Sequence, residues 1–281
     1  MRDSTFQQFS KIVYDQSGIE LKSGKKNMVA ARVGKRLRAL SLEDEADYLK
    51  FLEKNNDEMV ELINVISTNT THFFREAAHF DLLKKVMTEW IEQGQTKFRL
   101  WCAAASSGEE PYTLAMTLRE TMSQFRTRLD VKLLATDIST KCLDICNKGQ
   151  YSADDIKDIP SPFGTRYFNK VANRQTPGTS SASHVDMVEV SHELKSMIHF
   201  RRLNLKDPPF PMKGPLDIVF CRNVMIYFGN STKRPLLDDV YRLLKPGGYL
   251  IVSHTESLTG VTEQFERVGP SIYRKAEHVS S

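Results

Sequence analysis

The residues that can do chemistry in this chain gather where apolar runs end. Phe98-Arg-Leu-Trp-Cys102 is rich in β-formers and runs into Ala103-Ala-Ala-Ser-Ser-Gly108, a stretch with almost no side chain. Glu109-Glu-Pro-Tyr-Thr-Leu114 then starts a helix. A strand that enters a helix through small residues lets backbone approach a ligand, and it offers the free N–H groups of the helix N-terminus. That is the arrangement of a nucleotide site. Ser107 and Glu110 have the spacing of a capping box, and Pro111 is tolerated in a first helical turn. Only Gly108 is a glycine here, so the G-x-G-x-x-G pattern is absent, and an ordinary strand-to-helix turn capped by Glu110 uses the same residues. A second acid, Asp137, ends the run Asp130-Val-Lys-Leu-Leu-Ala-Thr-Asp137. At the tip of a second strand an acid can accept hydrogen bonds from both hydroxyls of a ribose, and capping the following helix is compatible with that role.

Other chemistries find less support. The four cysteines, Cys102, Cys142, Cys146 and Cys221, include no C-x-x-C pair. Cys142 and Cys146 can share a helix face, but no histidine pair accompanies them, so buried free thiols are expected and no metal. No catalytic-triad pattern appears. A net charge of +4 is too small to argue for nucleic acid. With no signal peptide at the start and no apolar run of bilayer length, the chain is expected in the cytoplasm, without membrane insertion.

The elements that must position these residues are set by periodicity. Residues 1–70 read as helical: Phe6, Phe9, Ile12 and Val13 recur at helical spacing, and Gly18 breaks that helix. A second helix spans about Lys25–Leu40, with Val29, Val33, Leu37 and Leu40 on one side and Arg32, Lys35 and Arg36 beside them. Shorter helices are expected near Glu45–Glu53 and Asp57–Ile66. Asn69 or Thr71 can cap the helix that continues through Phe80, Leu83, Val86 and Trp90, with Phe73 and Phe74 anchoring the joint. After the strands at 98 and 130, the chain changes character from Tyr151 to Phe200. Short alternating runs, Tyr167–Val171 and Val185–Val190, flank a polar loop at Gln175–Ser183, as in a β-hairpin excursion. Ile198–Leu205 returns to the sheet, Leu216–Asn223 is a fourth core strand, and Ser231 begins a helix through Leu244. Lys245-Pro-Gly-Gly248 turns into the strand Tyr249–Ser253, and Ser271–Lys275 is the last strand. Strands alternating with helices indicate an α/β fold.

Together these segments resemble a known family. Leu-Leu-Lys-Pro-Gly-Gly (243–248) resembles the corresponding segment of class I S-adenosylmethionine methyltransferases. Asn-x-Thr-x-Phe-Phe-Arg-Glu (69–76), Ala-Ala-Ala-Ser-x-Gly-Glu-Glu-Pro-Tyr (103–112) and Cys-Arg-Asn-Val-Met-Ile-Tyr-Phe (221–228) are similar to CheR-type chemoreceptor glutamate O-methyltransferases. The resemblance implies a Rossmann-like class I methyltransferase sheet, seven-stranded and mostly parallel with one antiparallel strand. It implies a small all-helical N-terminal domain (residues 1–70) and a methyltransferase domain (71–281) with a β-subdomain inserted at about 160–197. It also implies a cofactor site of Asn69, Thr71, Arg75, Glu110, Asp137, Asn204, Leu205, Arg222 and Asn223. Arg75 and Tyr227 would face methyl donor and acceptor.

The cofactor implied is S-adenosylmethionine, with S-adenosylhomocysteine as product. The partners implied are the methylation helices of chemoreceptors, whose acidic surface would meet Arg32, Lys35 and Arg36. Some members hold a receptor C-terminal peptide by adding it as a strand to the β-subdomain. The long Gln175–Ser183 loop departs from the compact form of that subdomain and argues against such a tether here. A nucleic-acid amino-methyltransferase is the chief rival, because Asp207-Pro-Pro-Phe210 resembles a base-stacking tetrad. That tetrad should follow the fourth core strand, and here it precedes Leu216–Asn223. A non-catalytic cofactor-binding or scaffold protein is the second rival, disfavoured by the intact Arg75, Asp137 and Tyr227.

Overall fold

The apolar runs lie side by side, and the loops at their carboxyl ends determine where a ligand can enter. The computed structural model describes residues 1–171 and 186–277. Its strands are, in chain order, β1 (Lys97–Cys102), β2 (Asp130–Asp137), β3 (Gln150–Ser152), β4 (Phe168–Lys170), β5 (Met187–Val190), β6 (Ile198–Arg202), β7 (Leu216–Phe220), β8 (Leu244–Ile251), β9 (Phe265–Gly269) and β10 (Ile272–Lys275). Seven form one sheet in the order β6-β2-β1-β7-β8-β10-β9. Its pairings are parallel up to β8, and β10 runs antiparallel to both β8 and β9. This is the expected mostly parallel sheet with one antiparallel strand. Strand order reverses at β1, which pairs with both β2 and β7. A crevice must open beyond the carboxyl ends of those strands, because the helices after them leave to opposite faces.

Alternation places the core on both faces. Phe98, Leu100 and Cys102 of β1 face a cluster with Leu83 and Met87 of α5 (Ala78–Glu92) and Leu114 and Met116 of α6 (Glu109–Met122). Trp101 and Ala103 face the other cluster, with Leu236, Val240 and Leu243 of the helix Asn230–Leu243. β7 is buried at every residue, and Asp217, its one polar side chain, is satisfied by Gln95, the Arg99 N–H and Lys245. Phe210 is buried in the second cluster, its ring 5.3 Å from that of Trp101. It therefore fills the core and cannot stack on a base.

The first 66 residues form helices α1 (Asp3–Ser17), α2 (Lys26–Leu40), α3 (Glu45–Lys54) and α4 (Asn56–Ile66) around their own core. Phe9, Val13, Val29, Val33 and Tyr48 are fully buried there. Gly18 ends α1 in the left-handed region at φ 73°. The unit sits over the carboxyl ends of the sheet: Asn64 Nδ2 donates to Thr140 Oγ1 (2.9 Å), Lys141 pairs with Glu61 (2.6 Å), and Glu20 N–H donates to the Tyr227 carbonyl (2.8 Å).

Several local expectations change. Arg32 and Arg36 are not free surface cations. Arg32 Nη1 donates to the carbonyls of Ile66 (2.6 Å) and Ser67 (3.1 Å), closing the C-terminus of α4, where helix carbonyls lack partners. Arg36 makes a bidentate pair with Glu58 (2.8 and 2.6 Å), which also accepts from the Tyr48 hydroxyl (2.6 Å). Of the predicted basic trio only Lys35 is exposed. No side chain caps α5: the chain turns through Phe74 and Glu76, both left-handed (φ 55° and 58°), before Ala78. Phe73 packs on Tyr151 and Phe168, so it anchors the small sheet β3-β5-β4. That sheet takes its first strand from Gln150–Ser152, ahead of the expected hairpin, while the expected Gln175–Ser183 loop lies outside the described residues. Lys245–Gly248 is an irregularity inside β8 with Gly247 at φ 73°. β9, not anticipated, forms the sheet edge beyond β10.

Replacing Arg36 by Met keeps most of its stem packing but leaves Glu58, which is 4% exposed, without its counter-charge. Removing one partner of a buried pair costs about 3–5 kcal/mol. Urea unfolding of Arg36→Met should show a loss of that order, with Lys35→Met nearly neutral.

Candidate active site

The crevice is built by four loops that continue from β1, β2, β6 and β7, and by the segment entering α5. After β1, Gly108 takes φ 105° at the start of α6, where a Cβ would fall 2.6 Å from the Tyr151 hydroxyl oxygen. Only glycine fits both conditions. The predicted capping box does not form. The Ser107 hydroxyl donates to Glu109 (2.7 Å), and Glu110 points instead to Arg222 (2.7 Å). After β2, Asp137 accepts from the backbone of Ser106 (Oδ2, 2.8 Å) and Ser139 (Oδ1, 2.8 Å), binding two loops together. The cap of the next helix, α7 (Thr140–Lys148), is Ser139 and not Asp137. Each Asp137 oxygen keeps a second lone pair, and burial raises its pKa against the pull of the backbone N–H groups.

After β7 comes Arg222, whose side chain is fully enclosed. It pairs with Glu110 (2.7 Å) and Glu76 (3.2 Å) and donates to the Arg75 carbonyl (2.5 Å). Burial raises the Glu110 pKa, with the Arg222 charge opposing it. Burial also works to raise Glu76, but the charge of Arg222 and hydrogen bonds from Ser253 and Arg222 hold it below its ordinary value. His79 beside them is held down to about 4, first by burial and then by the Arg222 charge. Asn223 is left-handed (φ 57°), and one carboxylate supports the turn it makes. Glu256 accepts from the backbone of Asn223 (2.9 Å), Val224 (3.0 Å), Ile226 (3.2 Å) and Ser253 (2.8 Å). Sequence reasoning misses Glu76 and Glu256 as architects of the site. The S-x-x-E spacing of Ser253–Glu256, just past an apolar strand, is the available signal.

These loops and the helical unit enclose a cavity of about 1070 Å³, including the space open to solvent at its mouth. Asn69, Thr71, Arg75, Glu110, Asp137, Asn204, Leu205, Arg222, Asn223 and Tyr227 all line it. Arg32, Lys35 and Arg36 do not. Glu20, Lys25 and Met28 line it from the helical unit, a contribution that periodicity and motif spacing do not foresee. Asn204 reaches across to the Gln16 carbonyl (2.9 Å), and Ser106 Oγ donates to the Asn69 carbonyl (3.0 Å), so neighbouring loops hold one another in place.

Residues 4–67 match the family profile described as "CheR methyltransferase, all-alpha domain", and residues 69–274 match "CheR methyltransferase, SAM binding domain". The chain belongs to the CheR methyltransferase family. It is 38% identical over 272 residues to a chemotaxis protein methyltransferase of Borreliella burgdorferi, covering 94% of this chain and 92% of the relative. It is 36% identical over 275 residues to the chemotaxis protein methyltransferase of Escherichia coli, covering 97% and 91%. It is also 34% identical over 271 residues to chemotaxis protein methyltransferase 2 of Pseudomonas aeruginosa, covering 96% and 92%. The two CheR profiles meet between Ser67 and Asn69, where the chain leaves α4 and enters the cavity wall. Among the described residues no helix is long and apolar enough to cross a membrane.

Arg222→Met should expose how strongly this CheR site depends on one charge. Glu110 and Glu76 then lack their shared partner, and stability should fall by about 3–5 kcal/mol. A carboxylate whose folded pKa is raised contributes stability below its unfolded pKa, near 4.5, and loses it as pH rises through the folded value. Removing Arg222 moves that folded value higher still. The melting-temperature gap between wild type and variant should therefore widen from pH 5 to pH 8.

Proposed function

We propose that this protein transfers the methyl group of S-adenosylmethionine to glutamate side-chain carboxylates of chemoreceptors, giving glutamate 5-O-methyl esters and S-adenosylhomocysteine in chemotactic adaptation. The observation that carries this reading is the single cavity that collects Asn69, Thr71, Arg75, Glu110, Asp137, Asn204, Leu205, Arg222, Asn223 and Tyr227 under the helical unit. The donor set suits the cofactor. Asp137 keeps one lone pair on each carboxylate oxygen for the two ribose hydroxyls, and the small residues Ala103 and Ala104 leave the wall beside it open.

S-adenosylmethionine, when bound, supplies a methyl group already activated by its sulfonium. The acceptor glutamate has an ordinary pKa of about 4.3, so at neutral pH it is a carboxylate nucleophile and needs no general base. The protein's work is therefore alignment and exclusion of water. Arg75 can orient the acceptor as a charged donor and Tyr227 as a neutral one. Arg75 is bracketed by left-handed Phe74 and Glu76, and its Nη1 donates to the Thr70 carbonyl (3.1 Å). Tyr227 is steadied by its neighbours: its carbonyl accepts from Glu20, and Phe228 bridges to Ile19. The helical unit thus holds the segment that carries one of the two orienting groups. Of the basic helix, Lys35 keeps an exposed charge for an acidic receptor surface, while Arg32 and Arg36 serve the fold.

Incubation with labelled S-adenosylmethionine and a receptor cytoplasmic fragment, followed by mild base, should release volatile methanol. A base-stable label would refute carboxyl methylation. Asp137→Ala should weaken S-adenosylmethionine at least about tenfold in calorimetric titration, since charged hydrogen bonds contribute roughly 1.5–3 kcal/mol each. Arg75→Ala should lower turnover by more than about tenfold with little change in melting temperature; a normal rate would remove Arg75 from the transfer centre.

A further inference from the structure

Beside Arg222, outside the cavity wall, lies a second group of side chains that the methyl-transfer reading does not use. Glu76, His79 and His254 bring one ligand atom each to within 4.8 Å of one another. His79 is 1% exposed, and neither ring nitrogen has a hydrogen-bond partner. A buried polar side chain with no partner costs about 1–3 kcal/mol, so its presence calls for an explanation. His79 Nδ1 stands 3.4 Å from Glu76 Oε2. The His79 and His254 ring centres are 4.9 Å apart and the rings are tilted by 49°. His254 is exposed, so the group opens to solvent on that side.

We propose that Glu76, His79 and His254 form a binding site for a divalent transition cation of the zinc class, with the remaining position open to water. Two imidazoles and one carboxylate form a known ligand set for zinc, at bond lengths of about 2.0–2.2 Å. Tetrahedral bonds of that length separate ligand atoms by roughly 3.4 Å, the spacing that His79 and Glu76 already have. The exposed His254 closes the remaining gap by a side-chain rotation. Its Nδ1 lies 3.3 Å from the Ser271 hydroxyl, which can orient the ring as outer-shell partners of ligating histidines do.

The charge at the site is mixed: the Glu76 carboxylate attracts a cation, while Arg222, the guanidinium that pairs with Glu76 and Glu110, repels one. Arg222 opposes the ion at short range, because it contacts the same Glu76 oxygen. Occupancy therefore turns Arg222 more fully toward Glu110 and couples this site to the cavity wall. Sequence spacing hints at Glu76 and His79, which stand at i and i+3, but His254 joins them only through the fold.

The test uses the full-length, untagged protein, cobalt(II) as the probe and zinc as the competitor, and it reads binding rather than methyl transfer. The expected result is one equivalent of cobalt with visible absorption bands of a four-coordinate site, displaced by zinc. His254→Gln should weaken that binding by at least about tenfold while leaving the metal-free melting temperature unchanged, because the side chain is exposed. His79→Gln should do the same if it folds, and His254→Gln decides the matter if it does not. No absorbing complex, or one whose affinity is the same in His254→Gln, would overturn the proposal.

Discussion

The buried guanidinium of Arg222 is the contact on which the site depends. It leaves the end of β7 and meets two other parts of the chain: Glu110 from the first strand-to-helix turn, and the segment entering α5, through Glu76 and the backbone carbonyl of Arg75. An enclosed charge of this kind is stable only when its partners are in place, and each partner is stable only with the charge. The chain therefore cannot settle one loop without the others. Glu256 does the same work in mirror image, one carboxylate gathering four backbone N–H groups around Asn223.

That mutual dependence explains why strained backbone persists where it does. Phe74, Glu76, Ser106 and Asn223 all adopt positive φ without being glycine. Such conformations cost of order 1–3 kcal/mol each and survive where surrounding contacts over-determine them. Here Phe74 is held by Thr113, Glu76 by Arg222, Ser106 by Asp137 and Asn223 by Glu256, and all four residues border or support the cavity. The helical unit adds the last constraint. Its α4 docks on α7 through Asn64 and Glu61, and the chain after α1 hydrogen-bonds the backbone at Tyr227. A cavity bounded by two folding units can exclude water while remaining open at its mouth, as alignment of reactants for methyl transfer requires.

The sequence by itself determined the sheet and the addresses of the cavity residues. Phe98–Cys102, Leu133–Asp137 and Leu216–Phe220 are largely buried on both faces, so their composition marks them as strands, and a parallel sheet must place their polar ends at one edge. Asp137, Asn204 and Arg222 were legible for that reason, and the motifs at 69–76, 103–112 and 221–228 named the rest. What the sequence could not carry were choices made by partners distant along the chain. Arg32, Lys35 and Arg36 share a helix face, yet Glu58 and the end of α4 claim two of the three, so periodicity saw a basic face where the fold keeps one free charge. Glu110 had capping spacing, and Arg222 took it, because a buried charge outcompetes an exposed backbone N–H. Glu76 and His79 share an i, i+3 spacing, but no local pattern links them to His254. Only the tertiary structure brings them together, because side-chain constellations depend on packing between elements, whereas strands and helices depend on local periodicity.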